Sequence, residues 1–345
     1  MIPGIYKSYV SCKLCPRRCG VNRLEGEKGF CGESAELRIA SASIHRGEEP
    51  PVTGRGGSGT VFITGCTLGC SFCQNWQISQ AGMGRAADTE EFAQICLALQ
   101  NAGAENINIV TGSHSVPAIA AGIAGAKETG LSIPVLWNSS GYESLEALSL
   151  LENTADVYLP DLKTLDSGIA GRFFKAPDYP AAASAAVIRM METQPLRFKT
   201  AGAEHGDGDR AQIIRSGVII RHLVLPGYLE ATRQVLRWFA ENGQGRALLS
   251  LMTQYTPVHP EGTAADRKTG AGASGDRAHA PERYMEQKEY EAVLDMLDEY
   301  GIEDGFYQEL VQDSAWLPDF RRVNPFSSEL SLPVWHWEKG FAGRP

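Results

Sequence analysis

Seven of the eight cysteines fall into two groups whose spacings suit metal chemistry. Cys66, Cys70 and Cys73 lie in "GCTLGCSFCQNW" (65–76), spaced Cys-x3-Cys-x2-Cys, and Cys12, Cys15, Cys19 and Cys31 are spaced Cys-x2-Cys-x3-Cys-x11-Cys. A structural zinc site and a closed iron–sulfur cluster both take four protein ligands. The N-terminal group has that number, in a segment too short for its own core, so a metal must organise it. Zinc and a closed iron–sulfur cluster fit its count equally well. The second group has three thiols. Three thiolates on a four-iron cube leave one iron without a protein ligand, and that iron can take a small molecule through an amine and a carboxylate. Gly65 and Gly69 permit the turns such a loop needs. The eighth cysteine, Cys96, belongs to "TEEFAQICLALQ", where Phe92, Ile95, Cys96 and Leu99 form one helical face, so it is core.

The elements that must carry these residues alternate. Strand "TVFIT" (60–64) runs into the three-cysteine loop, and a helix over about 88–102 follows, with Asp88 or Thr89 as N-cap and Gly103 just past its end. Strands "NINIV" (106–110), "IPVLWN" (133–138), "DVYLP" (156–160), "GVIIRHLVL" (217–225) and "ALLSLM" (247–252) alternate with helices near 116–129, 143–152, 166–192 and 228–242. Near-continuous apolar strands alternating with helices predict a parallel sheet covered by helices. Six strands fall two short of a closed barrel, so the expected fold is α/β, a partial (β/α)6 TIM-like barrel, with a doubly wound open sheet as the alternative. Either places chemistry at the C-terminal strand ends, where the three-cysteine loop sits.

Composition narrows the function classes. The net charge of −9 argues against broad nucleic-acid or membrane-surface binding. The first residues lack the apolar stretch of a signal peptide and no apolar run approaches membrane-spanning length. A cytoplasmic location is expected, where clustered cysteines read as metal ligands rather than disulfides. Three regions are expected: a Cys-rich N-terminal segment (1–45), a core (46–312) and a C-terminal tail (313–345) packing back through Trp316, Trp335 and Trp337. The stretches 201–212 and 259–283, rich in Gly, Ala and charge, read as mobile loops, the second an insertion in the core before an apolar-faced helix at 287–300.

The Cys66-x3-Cys70-x2-Cys73 loop, with Phe72 before the last cysteine and a strand in front, resembles the signature of the radical S-adenosylmethionine (SAM) superfamily. The resemblance implies a 4Fe–4S cluster on these three cysteines with SAM chelating the open iron. One electron, from a reduced flavodoxin or ferredoxin, would split SAM into methionine and a 5′-deoxyadenosyl radical that abstracts a substrate hydrogen. Within the superfamily the chain looks like the pyruvate formate-lyase activating enzyme-like branch, the glycyl-radical activases, over about 46–255. "YLPDLK" (158–163) resembles its fourth-strand motif, "WNSSGY" (137–142) its third-strand end and "IRHLVLPG" (220–227) its fifth.

Lys163 and Arg221, charged groups at C-terminal strand ends, read beside the cysteines as catalytic groups that neutralise SAM's carboxylate and ribose-side acceptors, or as partners of Asp161 with no further role. Asn138, Ser139 and Asp161 would hold SAM or a monovalent cation. The branch usually ends its second strand in Gly-Gly-Glu, whereas this chain has "TGSHS" (111–115). Thr111, Ser113 and His114 are the polar substitutes there, His114 serving equally as a helix cap. The N-terminal cysteines resemble a segment of activase-like proteins, which implies an auxiliary cluster or a zinc site. The implied substrate is a glycyl-radical enzyme or another protein or peptide. The alternatives are a small-molecule substrate and a non-catalytic iron–sulfur or zinc protein.

Overall fold

The computed structural model describes residues 4–200, 212–258, 280–312, 314 and 316–343. Most of both predicted mobile loops, at 201–211 and 259–279, lies outside the described residues.

The elements run β1 (Arg38–His45), α1 (Pro50–Thr53), β2 (Ser58–Ile63), α2 (Trp76–Ser79), β3 (Arg85–Ala86), α3 (Thr89–Asn101) and β4 (Ile107–Val110). They continue with α4 (Val116–Glu128), β5 (Val135–Ser139), α5 (Leu145–Leu151), β6 (Val157–Pro160), α6 (Ser167–Phe174) and α7 (Tyr179–Thr193). Then come β7 (Arg197–Thr200), β8 (Gln212–Leu223), α8 (Leu229–Asn242), β9 (Leu248–Met252), α9 (Gln287–Glu299), β10 (Gly305–Tyr307), β11 (Ser331–His336) and β12 (Gly340–Phe341).

All six predicted strands form and pair in parallel, β2 with β4, then β5, β6, β8 and β9. Their apolar runs are buried, as both faces of a parallel sheet require. The sheet is open, in the order β10-β9-β8-β6-β5-β4-β2-β1-β11-β12. An open α/β sheet of this kind agrees with the expected partial barrel.

The sheet is wider than the six-strand reading. β10 adds a seventh parallel strand beside β9, and its three residues are too short to show a period. β1 joins β2 antiparallel, and its sequence RIASASIH hides a buried strand behind small polar residues. β11 pairs with β1, so the C-terminal residues enter the sheet rather than only resting on it. β8 begins at Gln212, earlier than predicted, because it also pairs antiparallel with β7.

The helices match the predicted patterns. Asp88 caps α3 by accepting from Glu91 N, and Phe92, Ile95, Cys96 and Leu99 are buried. The helical segments predicted over 166–192 are α6 and α7, and Lys175, with a left-handed φ of +55°, ends α6. Among the described residues, no helix is long and apolar enough to cross a membrane.

Candidate active site

β2 delivers the chain to the three-cysteine loop. Gly65 takes φ +92° there, and a Cβ at that position would come within 2.5 Å of Glu33 Cγ and 3.1 Å of the Cys31 carbonyl, so both the turn and the space require glycine. Gly69, between the first two cysteines, has φ +66°. The loop packs its Phe72 edge-on against Phe173, Phe174 and Tyr255. Cys66, Cys70 and Cys73 thereby face a cavity of about 330 Å³. Burial raises the Cys70 thiol pKa above its usual range, with Lys163 pulling it back, and pushes Cys73 up to about 11. Such thiols ionise readily only with a metal to hold them.

The strand ends bring the predicted groups to the same cavity. Thr111 from β4, Asn138 and Ser139 from β5, Asp161 and Lys163 after β6, and Arg221 from β8 all line it. Lys163 Nζ donates to Asp161 Oδ2 at 2.5 Å. Burial opposes the Lys163 charge, but Asp161 and then Cys70 outweigh it and raise the pKa, so the ammonium persists facing the loop. Thr111 carries φ +63°, an outlier for a β-branched residue, with its N–H donating to the Asn138 carbonyl at 2.9 Å.

Arg221 is occupied differently. Its Nε donates to Glu49 Oε1 at 2.8 Å, and its Nη2 reaches both Glu49 Oε2 at 2.5 Å and Glu48 Oε2. Burial opposes ionisation of Glu49, yet the Arg221 guanidinium wins and holds this carboxyl below the usual range. Glu48 also lines the cavity, together with His45. His45 pairs with Ser58 at the start of β2, whereas Cys66 follows that strand's end, so the cavity lining reaches both ends of β2. Burial lowers the His45 pKa and keeps the ring neutral.

Ser113 and His114 do not line the cavity. Ser113 Oγ donates to buried Glu143 at 2.5 Å, and His114 Nε2 meets the Thr64 carbonyl at 2.7 Å. Burial, reinforced by Arg23, lowers the His114 pKa to about 3. His114 does not cap α4 either, whose N-cap position is Ser115. The residues that sequence reasoning missed are Glu48 and Glu49, His45, and the aromatic wall of Phe62, Trp316 and Phe326. The only local signal for the acidic pair was two carboxylates directly before Pro50-Pro51. Trp316, expected only to dock, lines the cavity.

The N-terminal thiols do not line the cavity. Cys12 and Cys15 are buried, Cys31 is half-buried and Cys19 is exposed. Among the described residues, no three His, Cys, Asp or Glu side chains are grouped to hold a single metal ion.

The chain is 29% identical over 258 residues to the uncharacterized protein MJ0674 of Methanocaldococcus jannaschii, covering 73% of this chain and 68% of that one. It is similar to Streptococcus suis SuiB bound to the precursor peptide SuiA, with a TM-score of 0.46 and 13% identity over 71% of this chain, and it spans 46% of that chain. It is also similar to a domain of a pyruvate-formate lyase-activating enzyme from Bacteroides vulgatus, with a TM-score of 0.34 and 13% identity over 54% of this chain and 87% of that one. Residues 60–191, which hold the three-cysteine loop and strands β4 to β6, match the family model described as the Radical SAM superfamily.

Proposed function

We propose that the chain is a radical SAM oxidoreductase that holds a 4Fe–4S cluster on Cys66, Cys70 and Cys73 and abstracts hydrogen from a glycine of a partner protein or peptide. The observation that carries the reading is the cavity itself. Three thiols on one loop share it with an ammonium and the hydroxyl and amide groups of two strand ends. The residues suit the group: the turns at Gly65 and Gly69 aim three sulfurs at one space, and the rest of that space is polar enough for an amino acid and a nucleoside. With SAM bound, the cluster and SAM together supply a carbon radical that takes hydrogen from a C–H bond.

The chain's own groups position and exclude. Lys163, held by Asp161, meets a carboxylate in the cavity. Asn138 and Ser139 offer oxygens for hydroxyl donors at the same strand ends, or for a monovalent cation. Phe62, Trp316 and Phe326 give an apolar wall that keeps water from a reactive carbon. The protein or peptide substrate follows from the likeness of 137–142, 158–163 and 220–227 to the activase branch, and a reduced flavodoxin or ferredoxin is the matching donor class. The absent Gly-Gly-Glu favours, as a second reading, a radical SAM enzyme with a small-molecule substrate.

The test is anaerobic. Reconstituted protein with dithionite and SAM should yield 5′-deoxyadenosine, and Cys70→Ala should abolish it; no product from the intact protein sinks the enzyme reading. A glycyl signal by electron spin resonance on a candidate glycyl-radical enzyme supports the activase branch. Its absence alongside 5′-deoxyadenosine formation favours the small-molecule reading.

A further inference from the structure

We propose that the end of the cavity at His45, Glu48, Phe62, Trp316 and Phe326 is a substrate subsite for a primary ammonium on an alkyl stem. The proposal rests on the radical SAM reading and names a substrate class for it, an alkylamine, free or as a lysine side chain. Two carboxylates, Glu48 and Glu49, share the single Arg221 guanidinium. One negative charge is therefore in excess, and the Glu48 side chain that lines the cavity is only 12% exposed. An uncompensated charge in such a place is unfavourable until a cation joins it. His45 does not supply one. The Gly47 N–H donates to its Nδ1 at 3.2 Å, so the neutral ring keeps its proton on Nε2. Glu48 Oε1 lies 3.7 Å from that same Nδ1 and gains no hydrogen bond from the ring. What Oε1 does accept is a long bond of 3.4 Å from Asn108 Nδ2. Asn108 is fully buried on the β4 face that it shares with Val110, which lines the cavity. Its Oδ1 meets no donor among the described residues. Acceptors thus outnumber donors, and a ligand that brings both donors and positive charge completes the group.

The rings select an organic cation over a bare ion. The Phe326 ring centre stands 4.8 Å from that of His45, edge-on, and 5.6 Å from that of Phe62. Trp316 adjoins them, with a ring carbon 3.3 Å from where a Cβ on Gly47 would stand. Aromatic faces beside a carboxylate attract an ammonium through the ring quadrupole and cover its alkyl stem. β2, six residues and about 17 Å of backbone, separates this end from the three-cysteine loop. An ammonium held here leaves the Lys163 end to a different molecule.

Calorimetric titration of the reconstituted full-length protein with n-pentylamine, with and without saturating SAM, tests the subsite. The amine should bind saturably in both states and about tenfold more tightly than 1-pentanol, which has the stem without the charge. Glu48→Gln leaves Arg221 balanced by Glu49, so this variant should fold. It should weaken amine binding about tenfold and leave pentanol binding unchanged. Phe326→Leu should weaken amine binding by a smaller factor. No saturable binding, equal affinity for the two probes, or unchanged amine binding by Glu48→Gln overturns the proposal. Competition by SAM also overturns it, because this end would then belong to the SAM site. Amine binding without 5′-deoxyadenosine formation leaves the subsite standing and sinks only the enzyme reading, and the reverse result sinks only the subsite. Tighter binding of the tripeptide Gly-Lys-Gly than of n-pentylamine assigns the ammonium to a peptide side chain, and weaker binding assigns it to a small molecule.

Discussion

Two cations line one cavity and are held in opposite ways. Lys163 meets a single carboxylate two residues away, in a pair whose side chains are 17% and 24% exposed. Arg221 meets two carboxylates from far along the chain, with the three side chains 9%, 12% and 7% exposed. A lone ammonium on a partly open pair keeps donors for a ligand, since Lys carries three and Asp161 takes one. A guanidinium with three of its bonds committed to Glu48 and Glu49 spends its charge on the protein. The contrast sets a cation with donors to spare against one committed to the protein, although both lay in motifs that suggested one shared role.

The largest effect should come from Arg221→Met. It strands two buried carboxylates and should lower stability by about 3–5 kcal/mol in urea unfolding. A change below that of an exposed pair would break the comparison. Acid should act on the same cluster. The Glu49 pKa is depressed on folding, so its contribution is present above the ordinary value of 4.5 and is lost as pH falls below it. Unfolding midpoints measured from neutral pH downward should drop in that range, and Arg221→Met should flatten the drop. Lys163→Met should cost only about 1 kcal/mol, because its pair is partly solvated. It should nevertheless abolish SAM binding to the reconstituted protein by calorimetry, and retained binding would move the ligand role away from Lys163. The smallest effect concerns the end of β4, two strands from the one that precedes Lys163. Thr111→Gly relieves a left-handed φ and should raise stability by about 1 kcal/mol. A loss would show that the Thr111 side chain contributes more than its backbone costs.

What was legible in the sequence follows the range of each interaction. The three-cysteine loop declares itself because its ligands and turn glycines lie within nine residues, from Gly65 to Cys73. The six parallel strands were legible because burial on both faces leaves continuous apolar runs. β1 was not, since Ser41 and Ser43 are buried among neighbours that no local pattern specifies. The Arg221–Glu49 pair spans 172 residues, and neither partner's surroundings name the other. His114 misled for a related reason. A histidine at a strand end looks like a ligand until the fold turns it to the Thr64 carbonyl.

β1 lies between β2 and β11, and the Trp335 ring beside it is fully buried, with its indole N–H donating to Glu91 at 3.0 Å. During synthesis, therefore, strands β2 to β9 emerge from the ribosome while one side of β1 is still an open edge. Such an edge can pair with another nascent chain until residues 331–336 arrive. The order of translation thus leaves that edge of β1 without its β11 partner until the last part of the chain is made.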